Sequence, residues 1–240
     1  MEKGPEKNLG RTYAGINLEG RKAMKDGSVP EFKGFPPEFE KRMNVWAEFS
    51  NETKEEIKER IIKPLEEIES STNIDFYLAD RDFKIHSSIM QGKLDGDLNV
   101  NEKYQNLLEN SDKLKKVSEE LSGISIELKY LLFDKKGTII LASTKIPDQI
   151  PESRDLIKEA YAEESIYALD IPIFHLTIGR VLKLPEIEQV PESMKKLKTL
   201  IRNLRLQISS DPINAKIDGV NLAQGGVAKG GKTNPIKNNE

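Results

Sequence analysis

The sequence predicts an α+β fold of two similar lobes, with antiparallel sheets around a central groove. Three observations predict it. A helical pattern followed by an apolar strand occurs near residues 53–90 and again near 152–182. Each of those strands holds one of the only two histidines in the chain. And 240 residues, 37% hydrophobic and 32% charged, suffice for one substantial domain or two small lobes sharing a core.

The elements follow in order. Residues 1–35 are rich in Gly, Lys and Pro and read as a flexible arm, with a short helical turn near Leu18 to Lys25 at most. The folded part runs over residues 36–223. Met43 to Phe49 alternates like a strand, setting Val45 and Ala47 opposite Trp46 and Glu48. A helix follows from Thr53, capped by Ser50 or Asn51, with Ile57, Ile61, Leu65 and Ile68 as its apolar stripe and a kink expected at Pro64. Ile74 to Leu78 is an apolar segment, and Lys84 to Met90 is the first histidine strand. Asn101 to Leu121 is helical, with Tyr104, Leu107, Leu108, Leu114, Val117 and Leu121 on one face. Two strands then pair through Asp134-Lys135-Lys136-Gly137, where glycine suits positive φ. Glu152 to Glu163 is a helix, Ile171 to Leu182 the second histidine strand, and Glu192 to Ile208 a final helix. Ala215 to Leu222 closes a sheet edge, and residues 224–240, rich in Gly, Lys and Asn, read as a disordered tail.

Composition excludes several classes. The chain has no cysteine, which rules out disulfides, thiol nucleophiles and thiolate metal sites. Two histidines are too few for a polyhistidine metal centre, and no metal or other cofactor is expected. A net charge of −3 means that any affinity for a polyanion must come from a local patch. Lys195, Lys198, Arg202 and Arg205 form such a stripe on the last helix, read here as a solvated face. No apolar stretch approaches the roughly 20 residues that span a bilayer, and the opening residues lack a signal peptide's apolar segment. A cytoplasmic, monomeric protein without membrane contact is the expectation.

Candidate chemistry lies in Ile85-His86-Ser87-Ser88-Ile89 and Phe174-His175-Leu176-Thr177-Ile178. In a strand, residues two apart share a face. So His86 stands beside Ser88, and His175 beside Thr177, each pair opposite an apolar side. Two such strands facing across a groove suit a phosphodiester. One imidazole activates the attacking oxygen, the other protonates the leaving oxygen, and the hydroxyls hold the non-bridging oxygens. Tyr77, Phe83, Tyr130 and Tyr167 are read as packing residues, with base stacking the alternative. The loop Gly92 to Asn101 is the first candidate for substrate specificity.

Two His-x-Ser/Thr motifs in this repeated context resemble the 2H phosphoesterase superfamily, over roughly residues 43 to 222. His175-Leu-Thr-Ile-Gly-Arg180 also resembles the His-x-Thr-x-x-Arg form of that family's second motif. Ser88 stands where family members often carry threonine, and keeps the hydroxyl. The resemblance implies that His86 and His175 are catalytic and that Ser88, Thr177 and Arg180 bind substrate. It implies metal-independent hydrolysis of a 2′,3′-cyclic phosphate, on an RNA 3′ end or a nucleotide. Other activities of the family, and a non-catalytic RNA- or nucleotide-binding module, are the alternatives. Arg180 lies five residues from His175, so strict alternation points it away from the groove. It reaches the groove only if the strand bulges, with Gly179 the natural place.

Overall fold

The computed structural model describes residues 5–94, 99–169, 171–225 and 233–236. After a first helix α1 (Pro5–Asp26), the chain runs twice through one order of elements. The first pass is β1 (Arg42–Phe49), α2 (Asn51–Ile57) with α3 (Lys63–Thr72), β2 (Asp75–Leu78), β3 (His86–Leu94), α4 (Val100–Asn110) with α5 (Asp112–Leu121), and β4 (Ser125–Phe133). The second is β5 (Thr138–Ser143), α6 (Gln149–Glu163), β6 (Ile166–Leu169), β7 (His175–Lys183), α7 (Val190–Ser210) and β8 (Ile213–Gln224). A short β9 (Thr233–Pro235) pairs with β8.

The fold is α+β with antiparallel pairing, as expected, but the strands do not form separate sheets. They make one sheet in the order β2-β7-β5-β4-β8-β1-β3-β6. That order is a palindrome when each strand is matched to its counterpart in the other pass. The two passes join where β4 pairs with β8. Far from closing an edge, β8 therefore lies mid-sheet, between β4 and β1. Each histidine strand pairs with the short strand that precedes the other one, β2 with β7 and β6 with β3. The two histidine strands also touch, at Ser87 opposite Leu176.

Local sequence explains most elements. The Ser50 hydroxyl accepts from the Thr53 amide and caps α2. Where Pro64 predicts a kink, the helix widens into a π turn over Lys58–Ile62 before α3 resumes, relieving the clash of the proline ring with the preceding turn. The helix expected over Asn101 to Leu121 breaks at Ser111, whose side chain accepts from the Leu114 amide and restarts it. Gly137 takes φ 77° in the turn between β4 and β5.

The sheet has two unlike faces. One is almost wholly apolar, with Ser87 a buried exception. Val45, Ala47, Leu131, Leu141 and Leu176 lie there in a single core with Ile57, Ile61 and Leu65, Val117, Ile157, and Leu197 and Ile201 of the helices. The other face carries Asn44, Trp46, the histidines and their hydroxyls.

Residues 5–35 do not behave as a flexible arm. Leu9, Tyr13 and Ile16 of α1 pack on Leu132, Ile140, Ala142 and Ile173, and the Tyr13 hydroxyl donates to the Ser143 carbonyl at 3.0 Å. Further along, Ala23, Met24 and Val29 join the main core. Arg205, from the basic stripe of α7, donates to Asn17 of α1 and to the Leu131 carbonyl. At the far end, residues 226–232 and 237–240 lie outside the described part. The tail expectation fails for Thr233 to Ile236, since β9 pairs with β8 and the buried Ile236 donates its amide to the Val220 carbonyl. Among the described residues, no helix is long and apolar enough to cross a membrane.

Candidate active site

His86 and His175 are the first residues of β3 and β7, and the contact between those strands sets their direction. Ser87 lies opposite Leu176, both fully buried in the apolar side. Alternation then turns His86, Ser88, His175 and Thr177 together to the opposite face. The Ser87 hydroxyl donates to the His175 carbonyl at 2.7 Å and ties the strands at the site.

These four side chains line one cavity of about 270 Å³, together with Arg180, Asn44 and Gln91. No carboxylate is among its lining residues in the described part. All five residues singled out from the sequence therefore meet. Arg180 arrives through a bulge, but at Ile178 rather than at Gly179: β5 pairs Ile139 with Gly179 and Ile140 with Thr177, leaving Ile178 as the extra residue. The same irregularity occurs in β3, where Val45 pairs with Met90 and Trp46 with Ser88, leaving Ile89 extra. Each histidine is thus followed by a hydroxyl at the second position, a bulge at the third and a long polar side chain at the fifth. Gln91 is the counterpart of Arg180.

Both imidazoles are pushed well below their ordinary titration range, to about 4, chiefly by burial. The His86 Nδ1 donates to the Lys84 carbonyl at 2.7 Å, which fixes the tautomer and turns Nε2 toward the cavity. The His175 Nδ1 is buried without a hydrogen-bond partner. The Ile173 carbonyl lies near enough to favour its protonated form but falls short of bonding geometry, while His86 and Arg154 oppose that form. Ser88 accepts from the Asn44 amide at 3.0 Å, which leaves its own hydroxyl proton free to donate. Arg180 donates to Thr138 at 3.2 Å and lies 4.7 Å from the centre of the Phe32 ring.

A second wall is aromatic, and sequence reasoning missed most of it. Phe32, Phe35 and Phe39 come from the segment after α1 and stand beside Tyr77 and Phe83. Phe32 and Phe35 are 4.9 Å apart, and Tyr77 stacks on Phe83 at 5.1 Å. The strap is held by the Phe32 amide donating to Val181 and by Glu31 accepting from the Leu184 amide. Its signal was three phenylalanines within eight residues in an otherwise polar stretch. Tyr130 and Tyr167 do not line the cavity. Of the suspected specificity loop, Gly92 to Leu94 belongs to β3, and residues 95–98 lie outside the described part.

No protein-family model and no curated protein matches the chain. Its fold is similar to the crystal structure of a conserved protein of unknown function, ATU0111, from Agrobacterium tumefaciens str. C58. The TM-score is 0.54 at 12% identity, over 90% of this chain and 97% of that one. That likeness is one of fold. A second solved structure, the MHV ns2 PDE domain, aligns with a TM-score of 0.38 at 13% identity, over 58% of this chain and 83% of that one.

Proposed function

We propose that this protein is a two-histidine phosphodiesterase of the 2H kind, opening a 2′,3′-cyclic phosphate on an RNA end or a nucleotide without a metal ion. The observation that carries the reading is the meeting of both His-x-Ser/Thr motifs on one face of one cavity. In the reaction, one neutral imidazole takes a proton from water as its oxygen attacks phosphorus. The other, which takes up a proton as the anionic phosphate enters beside it, gives that proton to the ribose oxygen as the P–O bond breaks. The hydroxyls of Ser88 and Thr177 and the guanidinium of Arg180 would hold the non-bridging oxygens, where charge develops. The repeated element order, with its palindromic sheet, supports a duplicated origin for the two halves of the site. The aromatic wall supports a base-bearing substrate, since any base offers a face to stack on.

The test is turnover of 2′,3′-cyclic nucleotides, and of a short RNA ending in a cyclic phosphate, with EDTA present. Wild type is compared with His86→Ala and His175→Ala after all three are shown to be folded. Hydrolysis by the wild type that falls by a factor of about 100 or more in each variant supports the reading. Turnover that survives both variants overturns it. Binding without turnover, unchanged by either variant, would favour a nucleotide-binding module instead.

A further inference from the structure

The two histidines occupy equivalent positions, yet their surroundings differ at one point. For His86, the carbonyl two residues back, that of Lys84, accepts directly from Nδ1. The equivalent carbonyl for His175 is that of Ile173, and it is already engaged. Arg154 of α6 donates to it from Nη2 at 3.1 Å, while its Nε donates to the Ile89 carbonyl at 3.0 Å. Ile89 is the bulged residue of β3. One guanidinium thus braces both histidine strands, holding the bulge on one and the backbone entering the motif on the other. A planar donor fork can do this, whereas a lysine ammonium cannot reproduce its fixed geometry.

We propose that Arg154 is a positioning residue that makes the two histidines unequal, so that His86 takes up the pair's proton before His175. An imidazolium at His86 keeps a well-formed bond from Nδ1 to the Lys84 carbonyl. At His175 the corresponding carbonyl is turned to Arg154, and the guanidinium charge disfavours a second cation beside it. Among the described residues, few other charged groups lie in reach. Asp134, in the turn between β4 and β5, favours a charged His175, and Arg180 shares the cavity. On β1, Glu48 lies opposite His86 in register but is paired with Lys54 at 2.8 Å, and Lys84 lies beside it. For the reaction proposed above, on which the catalytic part of this inference rests, His86 is then the proton donor to the leaving oxygen. His175, neutral, is the acceptor from water.

The chain's two histidines make this readable without any substrate. Full-length protein labelled with ¹⁵N-histidine gives two sets of ring signals, assigned with His86→Asn and His175→Asn and followed through a pH titration. The expected result is that His86 protonates at the higher pH, with its Nδ1–H tautomer in the neutral form. In Arg154→Gln, the His175 midpoint is expected to rise by roughly half a pH unit or more while that of His86 stays. Arg154→Lys, which keeps the charge but loses the fork, should move it less. A wild type in which His175 protonates first, or with His86, overturns the proposal even if no Arg154 variant folds. So does an Arg154→Gln variant with unchanged His175. Because the titration does not need turnover, failure of the phosphodiesterase reading would appear in the hydrolysis assay alone.

Discussion

Acidifying the protein from pH 7 to about pH 4 should cost it a large share of its stability through the two histidines alone. In an unfolded chain each imidazole takes its proton near pH 6.5, whereas in the fold burial holds both back until about 4. The unfolded state therefore binds more protons across this window. The stability is complete above about pH 6.5 and is lost progressively as the pH falls toward 4. The displacement corresponds to about 3 kcal/mol for each ring and on the order of 5 kcal/mol for the pair, since part of the effect on His175 comes from His86. Against a typical domain stability of about 5–15 kcal/mol, that decides whether the acid form stays folded. The assay is urea unfolding at stepped pH, run beside a His86→Gln, His175→Gln double variant, which contains no histidine. Carboxylates titrate in both proteins, so the difference between the two curves isolates the imidazoles. Curves that run parallel from pH 7 to about pH 4 would refute the reasoning, for they would mean that the rings are solvated rather than buried.

Replacing Gly20 by alanine should destabilise the protein although it lies inside a helix. Helix propensity favours the change by about 1 kcal/mol, but the added Cβ would stand 1.8 Å from the Phe133 carbonyl oxygen, and α1 must lift off β4. Thermal unfolding checks this against Gly15→Ala, where the Cβ meets nothing within 4 Å and the same propensity should stabilise. Phe35→Ala should weaken binding of a base-bearing ligand by about 1–3 kcal/mol, with less effect on a phosphate compound lacking a base; equal losses on both would count against stacking. The single tryptophan, Trp46, lies edge-on to His86 at 5.6 Å, so its fluorescence should be quenched with a midpoint near 4, and the response should vanish in His86→Gln.

Much was legible in one dimension because it depended on short-range rules. The period of two in each histidine strand put His86 with Ser88 and His175 with Thr177. Serine before acidic residues marked the start of α2, and glycine marked the turn at 137. Even the bulge that admits Arg180 followed from counting faces. The N-terminal helix was hidden by its own glycines. Leu9, Tyr13, Ile16 and Ala23 keep a helical spacing, but Gly10, Gly15 and Gly20 argue against a helix by propensity. What overrides them is burial of Tyr13 and its neighbours on the sheet, a tertiary gain that no local rule contains. Gln91 escaped for a related reason. Its bulge is set by pairing with β1, and its role as Arg180's counterpart emerges only when the two strands are seen side by side.

By itself, then, the sequence determined which side chains could do chemistry and which way each points along its own strand, because both follow from residue type and backbone period. Tertiary structure decided the rest. It joined the two halves in one sheet through β4 and β8, and set Ser87 against Leu176 so that two separate motifs became one site. It also drew the Phe32 to Phe39 strap across the cavity and gave Arg154 the carbonyl that distinguishes His175 from His86. Each of these is a contact between residues far apart in the chain. Their pairing is selected by the burial and hydrogen bonding of the whole fold, and no stretch of sequence read alone contains it.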